Sequence, residues 1–170
     1  MAAATGTTFA SVHPTAGSQA GTYEWLWDIT AAPNAATPTW VNVPDITGLT
    51  PTPAPKYKDG TTYAHKGNTA QQKNGEDFTL AVSIKGVKDT TGEFQPELLI
   101  LFAAADANGA ANIIGYRYYH ATSPSLAWKG TAAVQWSRDN TGNDDLEMFG
   151  ITLTGQGDRT KIANPGLPTA

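Results

Sequence analysis

The sequence predicts a mainly β domain: a β-sandwich or squashed barrel of about six to eight antiparallel strands, with one flanking α-helix and a long inter-strand loop. Three observations predict it. From Glu76 to Val87, Phe78, Leu80, Val82 and Ile84 alternate with Thr79, Ala81, Ser83 and Lys85. A period of two sends the four large apolar groups to one sheet face. Charged residues make up only 15%, while 17 Gly and 11 Pro supply turns, and the five Trp and six Tyr are spread across strand-like runs. Finally, one segment alone carries a convincing helical period, at residues 96–108. A chain of 170 residues amounts to about one domain, long enough to bury a core without metal or disulfide.

In chain order, residues 1–21 are Ala, Thr, Gly and Ser with isolated Phe9 and Val12. They read as a flexible N-terminal arm, and they lack the basic and apolar regions of a secretory leader. A first strand spans 23–30, with Tyr23, Trp25, Trp27 and Ile29 on one face. A Pro-interrupted loop leads to a short strand, Trp40-Val41-Asn42-Val43. Residues 44–74 hold Pro44, Pro51, Pro53 and Pro55 and few large apolar groups. Structureless loops of more than about 12–15 residues are uncommon in compact domains unless they have a job. This one reads as an assembly loop that orders against another subunit, with a plain surface loop as the rival.

The alternating strand follows, then the helix. Pro96 suits a first helical position, Glu97 faces the positive end of the helix dipole, and Asn108-Gly109 is a stop signal. Phe94, Leu98, Leu101, Phe102 and Ala105 form its apolar stripe. The rival, a hairpin turning at Asn-Gly, is disfavoured by the Ala/Leu-rich composition. Three further strands are expected. Residues 112–120 place Ile114, Tyr116 and Tyr118 on one face. A strand marked by Trp128, Ala132, Val134 and Trp136 carries Lys129, Thr131, Ala133 and Gln135 opposite. Residues 146–154 turn Phe149, Ile151 and Leu153 inward. The domain spans 22–157, and residues 158–170 read as a C-terminal tail.

Catalytic and cofactor constellations are not evident, so the chain reads as a non-enzyme with no cofactor, metal or catalytic residues. His13, His65 and His120 lack metal spacing. Asp139, Asp144, Asp145 and Glu147 offer hard oxygens without the spacing of a calcium loop. Neither a phosphate-binding Gly loop nor a Gly-x-Ser-x-Gly elbow occurs. A hydrolase with paired carboxylates is a distant third class. The net charge of −4 and the missing Lys/Arg cluster speak against a general nucleic-acid binder. No run reaches the ~18 apolar residues of a membrane span. Aromatic side chains on a β-sandwich can stack on sugars, which makes a carbohydrate-binding or adhesin-like domain the alternative. However, Trp25, Trp27, Trp128 and Trp136 fall in phase with apolar neighbours. The polar strand faces, Thr79, Ala81, Ser83 and Lys85 with Thr131, Ala133, Gln135 and Ser137, are small and mostly uncharged. Open strands usually carry more Lys and Glu to block edge pairing, so these faces point to a self-assembling structural protein.

Several short motifs, in order along nearly the whole chain, carry a family likeness. They are Trp40-Val41-Asn42-Val43-Pro44-Asp45-Ile46, Tyr57-Lys58-Asp59-Gly60-Thr61-Thr62, Gly75-Glu76-Asp77-Phe78-Thr79-Leu80, Gly130-Thr131-Ala132-Ala133-Val134 and Ile151-Thr152-Leu153-Thr154-Gly155-Gln156-Gly157. The sequence resembles the major tail tube protein of bacteriophages with long, non-contractile tails. The resemblance implies rings, typically hexameric, stacked into a tube through which DNA passes during ejection. Neighbouring inner sheets would join around the lumen. It implies Thr79, Ser83, Lys85, Thr131 and Gln135 as lumen or inter-subunit groups. Tyr57, Lys58, Asp59, Thr61, Tyr63 and His65 would lie on an inter-ring loop. The implied partners are further copies of the chain and other tail proteins: tape measure, tail terminator and distal tail or baseplate. DNA would be met only in transit, and no membrane is implied. The implied location is the virion tail tube, assembled in the host bacterial cytoplasm. Small polar groups let DNA pass, because phosphate affinity comes mainly from Lys and Arg. Lys85 and Lys129 sit on the same faces and cut against a purely acidic lining.

Overall fold

The computed structural model describes residues 21–167. Seven strands appear in chain order: β1 (Trp25–Thr30), β2 (Val41–Asn42), β3 (Ile46–Asp59), β4 (Gln71–Lys85), β5 (Ile113–His120), β6 (Ala127–Arg138) and β7 (Met148–Lys161). One α-helix, α1 (Pro96–Asp106), lies between β4 and β5. All neighbouring strands pair antiparallel, in the order β2-β1-β5-β6-β7-β4-β3. The expected mainly β class with a single helix is borne out, in the form of one continuous sheet that does not close into a barrel.

The sheet is strongly rolled. Phe78 on β4 stacks against Tyr116 and Tyr118 on β5 at 5.5 and 6.0 Å between ring centroids. Two strands, β7 and β6, separate β4 from β5. In a flat sheet three strand spacings would hold them about 14 Å apart. Rolling therefore folds one face of the sheet over itself and makes that face the core. Trp27, Ile29, Leu80, Val82, Ile84, Ile114, Val134, Ile151 and Leu153 line it, all essentially inaccessible to solvent. Each such side chain contributes about 1.5–3 kcal/mol by leaving water. Gly130 makes room for Tyr116, since a Cβ there would lie 2.6 Å from the phenol oxygen.

Helix α1 closes the open end of the roll against β6. Leu98, Leu101 and Ala104 are buried, and Phe102 meets both Phe149 and Trp136 at 4.9 Å. The Asn112 side-chain amide donates to the Ala104 and Val134 carbonyls, both at 2.9 Å, which ties the end of α1 to β6. The helix ends two residues before the expected stop at Asn108, and Gly109 then takes φ +63°. Between the start of β1, which β2 leaves unpaired, and the edge strand β3 a cleft of about 580 Å³ remains, lined by Trp25, Leu26, Val43, Ile46 and Leu49 among others.

Three expectations change. Residues 44–74 are mostly paired: β3 and β4 form one long hairpin, and the loop shrinks to residues 60–70. Pro51, Pro53 and Pro55 lie opposite Leu80, Phe78 and Glu76. They occupy alternate positions on an edge strand, so their missing N–H groups are those that would face away from β4. Thr50, Thr52 and Ala54 carry the ladder between them. Tyr23 leaves the β1 core face because a 3-10 turn, Thr22–Glu24, precedes the strand and leaves the ring 85% exposed. β7 continues to Lys161, into the segment read as tail. Asn164 is buried, and its side-chain amide donates to the His120 and Ser123 carbonyls at 2.6 and 2.8 Å. The N-terminal arm, apart from Gly21, lies outside the described residues.

Candidate functional site

Two surfaces stand out. The first is the outer face of β3, β4, β7 and β6. The register aligns three cross-strand rows there: Thr50, Ala81, Thr152 and Gln135; Thr52, Thr79, Thr154 and Ala133; and Gly48, Ser83, Gly150 and Ser137. None of these side chains carries a charge. Alternation alone explains the placement, because Phe78, Leu80, Val82 and Ile84 point into the core and their neighbours must point out. β-branched Thr also suits a pleated surface. Thr79, Ser83, Thr131 and Gln135, separated in sequence, therefore share one face. Thr131 extends it, its hydroxyl donating to the Gln156 carbonyl at 2.7 Å. Lys85 sits at the margin opposite Met148. Asp139 borders the same margin, where Ser83 Oγ donates to its carboxylate at 3.4 Å.

Next to the band, the outer face is covered around Arg117, while Lys129 opposite it stays exposed. Trp40 lies against the Arg117 guanidinium at 4.7 Å, and Arg117 Nε donates to Asp28 at 2.6 Å. The Asn42 amide also donates to Asp28, at 2.8 Å. The uncharged band is thus the middle of this face, with exposed Lys129 beyond Thr131 and exposed Lys85 at the other margin.

The second surface is the outer part of the β3–β4 hairpin. β4 pairs with β7 only from Thr79 to Lys85, whereas its pairing with β3 continues to Gln71. Residues 54–77 therefore form a two-stranded ribbon standing beyond the sheet, with buried Phe78 at its root. Tyr57 is about half exposed and Tyr63 fully exposed on it. At the tip, the Thr61 backbone N–H donates to the Asp59 carboxylate at 2.8 Å, and the Thr61 hydroxyl does the same. The hydroxyl bond, then the backbone bond, hold the Asp59 carboxyl below its usual range. The Thr62 N–H donates to His65 Nδ1 at 3.0 Å, and Lys66 turns the chain with φ +49°. Asp59, Thr61 and His65 thus shape the tip, while Tyr57, Lys58 and Tyr63 face outward.

The ribbon is anchored by residues that sequence reasoning missed. Arg159 on β7 donates to Glu76 at 2.9 Å and to the Tyr118 hydroxyl at 2.8 Å. Its guanidinium also lies 5.0 Å from the Phe78 ring and 5.6 Å from the Trp128 ring. Lys73 first, and Arg159 after it, hold the Glu76 carboxyl below its usual range. Burial pushes the Tyr118 phenol up. Residue spacing carried no signal for this clamp, since Glu76 and Arg159 are far apart in sequence and belong to different strands.

Of the histidines, His13 lies outside the described residues, and His120 is buried with Nε2 3.4 Å from Glu24. Among the described residues no three or more His, Asp or Glu side chains gather into a metal-holding group, and no helix is long and apolar enough to cross a membrane. The tryptophans do not build a platform: Trp128 stacks on Trp25 and on Tyr118, Trp25 meets Tyr118 at a tilt, and Trp136, 40% exposed, packs on Phe102.

No family model matches the chain, and no curated protein matches it by sequence. Solved structures do match by shape. The SPP1 tail tube aligns with TM-score 0.61 and 11% identity, over 85% of this chain and 80% of that one. The tail of an empty gene transfer agent particle, refined with C6 symmetry, aligns at 0.61 with 8% identity, covering 85% of this chain and 100% of that one. A subunit of the anti-feeding prophage baseplate aligns at 0.54 with 12% identity, over 87% and 98% of the two chains. At such identities the likeness speaks for shape: this chain has the fold found in phage tail tubes and related particle tails.

Proposed function

We propose that the chain is a structural, non-enzymatic tail tube subunit that assembles into rings stacked around a DNA passage. The observation that carries this reading is the fold likeness to assembled tails over most of the chain. Sixfold rings follow the C6 symmetry of one such tail. The uncharged outer band is the lumen-facing surface in this reading, with Thr79, Ser83, Thr131 and Gln135 on it and Lys85 at its rim. Phosphate affinity comes mainly from Lys and Arg, so a band with its cations, Lys85 and Lys129, at its margins holds DNA weakly. The ribbon, with Tyr57, Lys58 and Tyr63, contacts a subunit of the adjacent ring. An isolated two-stranded hairpin is marginal in water, so such an element gains its stability from a partner. Other tail proteins at the two tube ends and inside the tube are the remaining partners, and the virion tail, assembled in the host cytoplasm, is the location.

Negative-stain electron microscopy across a concentration series, beside light scattering for mass, tests this. Rings or hollow tubes are expected. A monomer at every concentration, and also in the presence of the other tail proteins, would overturn the reading.

A further inference from the structure

The sheet ends at β3, so one side of that strand pairs with β4 and the other is free. From Ile46 to Pro55 β3 carries no charged side chain, and it is mostly exposed. A long uncharged edge of this kind is a template for a further strand, and proteins often blunt it with Lys or an inward charge. Here the blunting takes another form.

In an antiparallel pair, alternate residues turn both backbone groups toward the partner, and the residues between them turn both away. The register is unbroken from Gly48 to Lys56, with one irregularity at Ile46/Gly48 and another at Lys56/Tyr57. Within this run Pro51, Pro53 and Pro55 fill successive outward-turned positions, about 7 Å apart. The free edge there offers three carbonyls and no N–H. A strand laid along it would find no donor for its own carbonyls, and the proline rings would stand where the donors belong. The two irregularities disrupt the edge on either side of the run. At the opposite edge of the sheet, β2 has two residues and is soon followed by Pro44.

We infer that Pro51, Pro53 and Pro55 close the β3 edge to strand addition, so that copies of the chain meet across it through side chains and not through a shared backbone ladder. The three carbonyls stay free to accept from Lys, Arg, Asn or Gln side chains of a neighbour. Proline also blunts the edge without charge. Thr50 and Thr52 alternate with the prolines and belong to the uncharged band, so a Lys in place of any of the three would stand beside that band. The advantage of an uncharged block rests on the tail tube reading, because Lys there would hold phosphate. The closure itself follows from the backbone alone.

Pro51→Thr/Pro53→Thr/Pro55→Thr restores three N–H donors with a residue that suits strands. The full chain carrying it is expected to associate at a concentration at least tenfold below that of wild type, by light scattering, and to bind thioflavin T. The amides of residues 51, 53 and 55 should exchange freely in the dilute form and become protected in the associated one. Pro51→Thr/Pro53→Lys/Pro55→Thr lacks the same prolines but sets a charge on the edge, and it should associate no more readily than wild type. Equal association of both variants would mean damage to the fold instead of an opened edge, and would overturn the inference. A triple Thr variant that associates no more readily than wild type would also overturn it, as would one whose three amides stay unprotected on association. Wild-type protein that forms neither rings nor tubes would overturn the tail tube reading and leave this comparison of variants unaffected.

Discussion

β4 runs through two regions that obey different rules. From Thr79 to Lys85 it is flanked by β3 and β7, and Phe78, Leu80, Val82 and Ile84 are buried. From Gln71 to Asp77 it has β3 alone, and its side chains meet solvent or lie half-buried at the ribbon root. Backbone pairing is continuous across the boundary. The difference shows that a hydrogen-bonded ladder sets strand geometry, while apolar burial supplies most of the stability.

The sharpest way to break this contrast is to damage the rolled half. Leu153→Ala empties a fully buried site and should cost about 2–5 kcal/mol in urea unfolding, whatever happens to the ribbon. A smaller loss would mean that the core can collapse around the gap. Next comes the junction. Arg159→Met keeps apolar contact with Phe78 and Trp128 but leaves the Tyr118 hydroxyl without its donor and Glu76 with Lys73 alone. It should cost about 1–3 kcal/mol, with amide exchange in residues 71–77 rising more than in β5. Equal rises in both places would mean that ribbon and roll unfold as one unit.

Acid probes the same junction more gently. The folded Glu76 carboxyl lies below its ordinary value of ~4.3. Its contribution is therefore complete above that value and disappears as pH falls through the lower folded value. Exchange protection at the ribbon root should hold from pH 7 down to about 5 and fall below about pH 4. Loss above pH 5 would point to another group. The smallest stability effect belongs to Tyr63→Ser at the tip. It should change unfolding free energy by less than about 0.5 kcal/mol yet reduce tube formation, seen by light scattering. A large stability change would mean that the tip packs on its own chain.

Much of the rolled half was legible in the residues. The Phe78 to Ile84 alternation named both the core face and the polar face of β4, and Pro96 with Leu98 and Leu101 located α1 within two residues. The ribbon was not legible. Pro51, Pro53 and Pro55 read as breakers, because only the pairing partner reveals that their absent N–H groups would face an open edge. Arg159 was equally silent, since its role depends on Glu76, Phe78, Tyr118 and Trp128 arriving from three other strands.

Local chemistry thus settled which residues point inward, where the helix starts, and that the open faces are small and nearly uncharged. These follow from periods of two and 3.6 that each segment obeys alone. The order of strands, the roll that brings Phe78 onto Tyr116, and the gathering of Thr50, Thr79, Gln135 and Thr152 on one band were decided by the packed chain. They depend on contacts between residues far apart in sequence. The energy of such contacts exists only when several strands are in place together, so no single segment can encode them.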